Sequence, residues 1–406
     1  MTSKIGIIIP EERQIDYYYN FLKNFAASDL TIIVNDSDKK VGELIYKSKN
    51  LINYNREYLS SILDKNKKFD FIISTGNFRV PVKTSLWNNF LWTFDQYFKY
   101  LYSKSFGLII QSIGLSAFFE KIFNRPFDGG GKNRKLQSVR AEFIERKIGK
   151  KIILFPRGMD INSETHPSKE ILRRFDIFLC HGLKDHELVR NKTNAPAFII
   201  GYPRYKKNDE EKTTETNLVQ EFNLDDSKIT ILWMPSRLDW EYPNYRNIED
   251  WLPSFGCLQD NFQLIIRPHP HLVANSPELI SRLIENKFIV DSLKSRNLHD
   301  LYSLSDLVIA DYGGSIFSGV YMNKPVILLN SANHSLVSSS NELDISLRGE
   351  FQEYNLRDSN KFELMLKNLD KNQIHNLTQI SKKLHLEIFG EHNTQEFYKF
   401  IFNKLS

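Results

Sequence analysis

The sequence predicts an α/β protein made of two doubly wound, Rossmann-like halves that face a cleft, with helices at the carboxyl end. Three observations carry this expectation. Short apolar runs recur along the chain and read as buried parallel strands. Each is followed by turn residues and then a helical pattern, which is the spacing of βαβ units. The 406 residues exceed one ordinary core and suit two domains of about 200 residues each.

In the first half, strands are expected at 4–9, 30–34 and 69–74. They run into Pro10-Glu11-Glu12, Asn35-Asp36-Ser37-Asp38 and Ser74-Thr75-Gly76-Asn77, all turn formers. Residues 82–123 read as helical and are unusually aromatic, with Trp87, Phe90, Trp92, Phe94, Tyr97 and Phe98 among them. A basic, glycine-rich loop follows at Asp128–Lys135, then a helix near 136–148 and strands at 151–155, 175–179 and 197–200. The polar stretch after Lys206 is the best linker. It divides the chain into an acceptor domain (1–205), a linker (206–227) and a donor domain (228–406). In the donor domain the pattern restarts, with strands expected at 229–234, 262–267, 287–290, 306–310 and 325–329, and helices only from about 360 to 403. Two such α/β halves with a cleft between them form the GT-B arrangement.

Bulk properties narrow the function. Apolar residues make up 41% and charged residues 25% of the chain, as in ordinary folded domains. The net charge of +5 permits anionic partners but gives no sign of a nucleic-acid binder. The two cysteines, Cys180 and Cys257, have no CxxC partner, which argues against zinc or a disulfide framework. The first apolar run is too short for a signal peptide, and no stretch reaches the roughly 20 apolar residues of a membrane span. A cytoplasmic location is expected.

Two strand ends carry the chemistry. In Asp311-Tyr312-Gly313-Gly314-Ser315 a strand closes in a small-residue turn that opens a helix. Glycines allow close backbone approach, and free N–H groups at a helix start suit phosphate. The turn follows a strand's carboxyl end, where α/β sheets place ligands. An ordinary β-to-α turn is the alternative. In Arg267-Pro268-His269-Pro270 the prolines fix an extended turn, Arg267 offers a planar fork, and His269 can donate to a departing phosphate oxygen. The alternative is a structural histidine satisfied by carbonyls. Ser236 and Arg237, at the end of the first strand after the linker, are further candidates for donor contact, against a loop that merely packs.

These motifs resemble the CDP-glycerol glycerophosphotransferase family of teichoic-acid primases and polymerases over roughly Arg146 to Gly349. Arg146-Lys147-Ile148-Gly149-Lys150 resembles its basic approach to a strand, and Gly201-Tyr202-Pro203-Arg204 its G-x-P-R turn. Leu232–Ser236 resembles its YAPT strand end, Arg267–Pro270 its RxHP motif, and Asp306–Pro325 its SDxxITDYSS segment. Leu347-Arg348-Gly349 resembles its LRGFY element, which adds Arg348 to the phosphate-binding set. The resemblance implies a GT-B-like transferase that takes a nucleotide-diphosphate donor and a polymer or lipid-linked acceptor. Two departures stand out. The family's histidine in QTWHG, regarded as a base, aligns with Arg157, which cannot act as a base near neutral pH but can bind an anion. Its paired serines are Gly313 and Gly314 here. His166 and His181 are possible replacement bases.

The expected scheme is metal-independent and needs no cofactor. His269 and Arg157 act in catalysis. Arg267, Asp311, Gly313, Gly314, Ser315, Arg348, Ser236 and Arg237 hold the donor. Asp36-Ser37-Asp38 reads as a turn rather than a metal motif, and Gly129-Gly130-Gly131-Lys132 lacks the frame of a P-loop. The aromatic region with basic flanks either packs on the first sheet or docks on anionic lipid. Two other functions stay open. One is a UDP-sugar 2-epimerase-like enzyme, using carboxylates such as Asp95 and Glu120. The other is a non-catalytic protein that binds a nucleotide or polymer.

Overall fold

The computed structural model describes residues 4–11, 14–36, 39–48, 51–76, 79–81, 138–156, 169–205, 212–236, 246–258, 262–293, 296–330, 347–391 and 394–405. The aromatic region 82–123 and the loop at Asp128–Lys135 lie outside them. So do Asp95, Glu120, Arg157, His166, Arg237 and the second half of the Asp36-Ser37-Asp38 motif.

The first strands are β1 (Ile5–Ile9), β2 (Leu30–Val34), β3 (Asn55–Tyr58), β4 (Phe69–Ser74), β5 (Arg79–Pro81), β6 (Ser138–Arg140), β7 (Gly149–Leu154), β8 (Ile177–Cys180) and β9 (Ala197–Ile199). A seven-stranded sheet runs β3-β2-β1-β4-β7-β8-β9, and β5 and β6 form a separate antiparallel ribbon. β1 and β2 are buried along their whole length and pair in parallel, which is why they read as unbroken apolar runs. β3 (Asn-Arg-Glu-Tyr) has no such run. It lies at the sheet edge and keeps its side chains partly in water.

Later strands are β10 (Ile229–Met234), β11 (Phe262–Ile266), β12 (Ile289–Val290), β13 (Leu307–Ala310), β14 (Val326–Asn330) and β15 (Gln352–Asn355). They form one sheet in the order β12-β11-β10-β13-β14-β15, parallel throughout. Alternation along these strands fills two cores. Leu232, Ile265, Val308 and Leu328 pack on one face with Phe317, Val320 and Leu384. Ile231, Trp233, Ile266, Ile309 and Leu329 pack on the other with Trp251, Phe255 and Phe362. A period of two puts neighbouring residues on opposite faces, and both faces are covered. β15 (Gln-Glu-Tyr-Asn) is again a polar edge strand.

The chain divides into two compact units that interleave in sequence. One comprises Met1–Ile15, Phe25–Phe155 and Arg174–Ile177; the other comprises Asp16–Asn24, Pro156–Arg173 and Phe178–Ser406. In the first, Arg174 Nε donates to the buried Glu145 at 2.7 Å and its Nη1 to the Gly76 carbonyl at 2.8 Å, tying the Ala141–Ile148 helix to the turn after β4. In the second, an early segment packs with late ones. Asn20 Nδ2 donates to the Pro203 carbonyl at 2.9 Å, and Phe21 stacks on Phe397 with centroids 5.8 Å apart. Within 206–227, expected as a linker, Lys212–Glu221 is a helix that buries Leu218. The carboxyl end is helical at Ser359–Asn368, Lys371–Ile388 and Gln395–Leu405.

Asp185 sets a pH dependence. It is buried at the start of the Leu183–Lys192 helix and accepts from the amides of His181 (2.6 Å) and Gly182 (2.8 Å). Burial pushes its carboxyl up to about 6, against the pull of those amides. A raised carboxyl pKa means the folded state holds the proton more tightly than the unfolded chain. Its stabilising contribution is complete at about pH 4 and declines by roughly 3 kcal/mol as pH rises through about 6. Asp185→Asn is expected to flatten this slope. Thermal midpoints measured from pH 4 to 7 test it, and identical slopes for both proteins would refute it.

Candidate functional site

The strands of the second sheet end level. Trp233 pairs with Ile266 and Met234 with Ala310, which pairs in turn with Leu328. Ser236, Arg267, Asp311 and Asn330 therefore leave the sheet along one carboxyl edge, where parallel sheets bind ligands. Of the residues singled out in the sequence, this edge gathers Ser236, Arg267, His269, Asp311, Gly313, Gly314, Ser315 and Arg348.

Asp311 is fully buried and is the hub of this edge. Its carboxylate accepts from the Ser236 amide (2.9 Å), the Ser236 hydroxyl (3.0 Å), its neighbour Tyr312's amide (2.7 Å) and Asn247 Nδ2. Arg348 lies over the Tyr312 ring at 4.4 Å. It donates to Asn330 Oδ1 at 2.8 Å and to the Asp311 carbonyl. Both residues were expected at the phosphates. Their bonds instead run into the protein and fasten the loop after β10 to the turn after β13.

That turn projects outward. Gly313 has φ +76°, a left-handed conformation that side-chain-bearing residues rarely adopt. It caps the Gly314–Tyr321 helix, and a Cβ at either glycine would meet nothing within 4 Å. The helix start is thus open, and its first amides have no intrahelical acceptor. It is braced from below. Tyr302 Oη donates to the Ser315 carbonyl at 3.1 Å, and Tyr205 Oη donates to Ser318 Oγ at 2.8 Å. Ser315 Oγ is 3.5 Å from the Tyr312 carbonyl, a contact too long to fix it firmly.

Arg267 is 7% exposed. Its Nη1 donates to the Asp291 carbonyl (3.1 Å) and to Asp291 Oδ2 (2.8 Å), while Arg296 Nε takes Asp291 Oδ1 at 2.8 Å. Burial lowers the Arg267 pKa, Asp291 opposes this, and the charges of Arg296 and Arg204 lower it further. Arg204 is therefore close enough for its charge to be felt. It lies in the Pro203–Tyr205 turn with its guanidinium over the Tyr17 ring at 4.8 Å. In the sequence Arg204 shows only as part of a G-x-P-R turn, with no sign that it acts on Arg267. Asp291, for which no local pattern in the sequence gives a sign, is the shared anion of two buried cations. Asp291→Asn is expected to cost about 3 kcal/mol, since it leaves the buried Arg267 guanidinium without its carboxylate, while Arg296 keeps Glu221. Urea unfolding would show it, and an unchanged midpoint would refute it.

His269 is half-buried, between the buried Pro268 and the half-buried Pro270. Its carbonyl accepts from the amides of Leu272 (2.8 Å) and Val273 (3.2 Å), so its backbone caps the Pro270–Asn275 helix. His181 is 1% exposed, stacked on Tyr202 at 3.9 Å, with Nδ1 3.3 Å from the Gly201 carbonyl. That is the setting of a packed core ring. Among the described residues no group of three or more His, Cys, Asp or Glu is placed to hold a metal ion, and no helix is long and apolar enough to cross a membrane.

Comparisons fit this geometry. Residues 185–333 match the family model of CDP-glycerol:poly(glycerophosphate) glycerophosphotransferase. That span contains Ser236, Arg267, His269 and the 311–315 turn; Arg348 lies just beyond it. No curated protein sequence matches the chain. Among solved structures, a variant of the wall teichoic acid polymerase TagF soaked with CDPG is similar at TM-score 0.58 and 13% identity, covering 100% of this chain and 90% of that one. TagF without substitution gives 0.56 at 13% identity, covering 99% and 88%. Anabaena Alr3699/HepE in complex with UDP-glucose gives 0.47 at 12% identity, covering 99% and 98%. At such identities the TagF likeness speaks for the fold, and the family model speaks for the segment it covers. The chain thus has a GT-B-like α/β fold, and its residues 185–333 match the family model of CDP-glycerol:poly(glycerophosphate) glycerophosphotransferase.

Proposed function

We propose that this protein is a transferase that takes a nucleotide-diphosphate-activated donor and extends a cell-envelope polymer, with CDP-glycerol as the leading donor. The observation that carries this reading is the open helix start at Gly313-Gly314-Ser315, on the carboxyl edge of a parallel sheet and inside the family-matched span. A helix start offers amides and a positive dipole end to a phosphate. Arg267 and Arg204 add positive charge nearby, and Asp311, Ser236 and Arg348 keep the turn in place.

In this reading an acceptor hydroxyl attacks the β-phosphorus of CDP-glycerol and releases its proton to water, and the bond from that phosphorus to the bridging oxygen breaks. Glycerol phosphate moves to the acceptor and CMP leaves. His269 hydrogen-bonds the oxygen that gains charge as CMP departs, and the helix amides stabilise the rest. Arg157, standing where the family has a histidine, binds an anionic part of a polymer or lipid-linked acceptor rather than taking its proton. No metal takes part. Work on a lipid-linked acceptor places the protein at the inner face of the plasma membrane.

A donor screen tests this directly. The protein is incubated with CDP-glycerol, CDP-ribitol and common nucleotide sugars, each with lipid-linked or oligosaccharide acceptors, and released nucleotide is identified. CMP release supports phosphoryl transfer. Release of a nucleoside diphosphate from a nucleotide sugar would redirect the reading to glycosyl transfer. Binding of CDP without turnover of any donor would favour the non-catalytic alternative.

A further inference from the structure

The loop after β10 delivers a residue that the scheme above leaves without a task. Asn247 opens the Asn247–Trp251 helix and is 2% exposed. Its Nδ2 donates to Asp311 Oδ2. That bond fixes the sense of the amide, because a flipped amide would set Oδ1 against a carboxylate. Oδ1 is then a buried acceptor with no hydrogen-bond partner among the described residues. Such a group costs about 1–3 kcal/mol and is uncommon in folded proteins unless it has a use. Its position suggests one. Asp311, which holds it, stands two residues before Gly313, where the backbone meets open space. Trp233 Nε1 and Ser381 Oγ also lack a partner among the described residues, but the first belongs to a sheet core and the second to the Lys371–Ile388 helix.

The chemistry of Oδ1 narrows its ligand. It can only accept, and an ionised phosphate also only accepts, so Asn247 is not a phosphate contact. We infer that Asn247 Oδ1 accepts a hydrogen bond from a hydroxyl of the nucleotide-linked donor, which makes Asn247 a specificity-determining residue of the site. This rests on the donor-site reading given above. A nucleotide-linked donor has hydroxyls in two places, on the ribose and on the group to be transferred. Losing a hydrogen bond from either to a buried acceptor discriminates strongly, because the acceptor is left unpaired.

Calorimetric titration of wild type and Asn247→Ala with CDP, 2′,3′-dideoxy-CDP and CDP-glycerol tests the inference. The alanine variant leaves Asp311 three donors, from Ser236 N, Ser236 Oγ and Tyr312 N, so the turn keeps its anchor. A hydroxyl-bearing ligand is expected to bind about tenfold more weakly to the variant. Weakening of CDP-glycerol alone assigns the hydroxyl to the transferred group. Weakening of CDP and CDP-glycerol with dideoxy-CDP unaffected assigns it to the ribose. Equal weakening of all three ligands overturns the inference, because a damaged site or a contact to the base acts that way. No weakening of any ligand overturns it too. If Asn247→Ala does not fold, Asn247→Ser is read by the same comparison. Wild type that binds none of the three defeats the donor-site reading and this inference with it. Wild type that binds them beside a variant that does not discriminate defeats this inference alone.

Discussion

His269→Ala is expected to lower turnover by about 10²- to 10⁴-fold, the range for losing a positioned proton donor, while leaving the fold nearly as stable. The argument turns on what the residue does with its backbone. The His269 carbonyl accepts from Leu272 and Val273, and alanine keeps that carbonyl. Pro268 and Pro270 hold the path of the chain whatever side chain stands between them. What is lost is the half-buried ring with the contacts it makes, which costs about 1 kcal/mol. A structural histidine would give the opposite pattern. Nucleotide release at saturating donor, thermal midpoints and CDP affinity together decide between the two. Turnover within a few-fold of wild type, or a collapse in the midpoint, would remove His269 from the mechanism.

The parts of this molecule legible in the sequence are those where one physical demand dominates. Buried parallel strands must be apolar on both faces, so Ile5–Ile9, Leu30–Val34 and Ile229–Met234 declare themselves as runs. The edge strands Asn55–Tyr58 and Gln352–Asn355 face water on part of their surface and show no such run. The turn at Gly313-Gly314-Ser315 was legible because small residues after a strand end have few other uses there. What it rests on was not. Asp311 and Arg348 look like ligand contacts in a motif, yet their partners are Ser236, Asn247 and Asn330, at sequence distances no local pattern reports. Asp291 and Asn247 carried no signal, because each acquires its role only when two loops meet. The packing of Asn20 and Phe21 with Pro203 and Phe397 was equally hidden, since a helix pattern shows that a face is apolar and not what covers it.

Gly314→Glu separates binding from folding at the turn, and its expected effect on donor affinity is about a thousandfold loss. Gly314 is the first residue of its helix, and only Gly313 before it has the positive φ that demands glycine. A Cβ at 314 meets nothing within 4 Å, so a side chain can leave the turn there without a clash at its root. An acid in a helix's first turn adds about 0.3–1 kcal/mol of stability through the dipole, and replacing glycine in a helix adds further gain. The free variant should therefore melt at or above the wild-type temperature. The same carboxylate occupies the space proposed for the donor's phosphates. Two unit charges about 4 Å apart near a protein surface repel by roughly 4 kcal/mol, which is about three decades in affinity. Gly314→Gln supplies the control: it has the size of glutamate without the charge, so it isolates steric exclusion from repulsion. Calorimetry with CDP on the three proteins reads the result. If Gly314→Glu binds CDP as wild type does, the phosphates do not sit at this helix start, and the donor must be sought elsewhere on the carboxyl edge. If Gln and Glu weaken binding equally, the turn excludes by shape and the dipole contributes little. Only a large excess loss for Glu, in a protein at least as stable as wild type, makes the open turn an anion site.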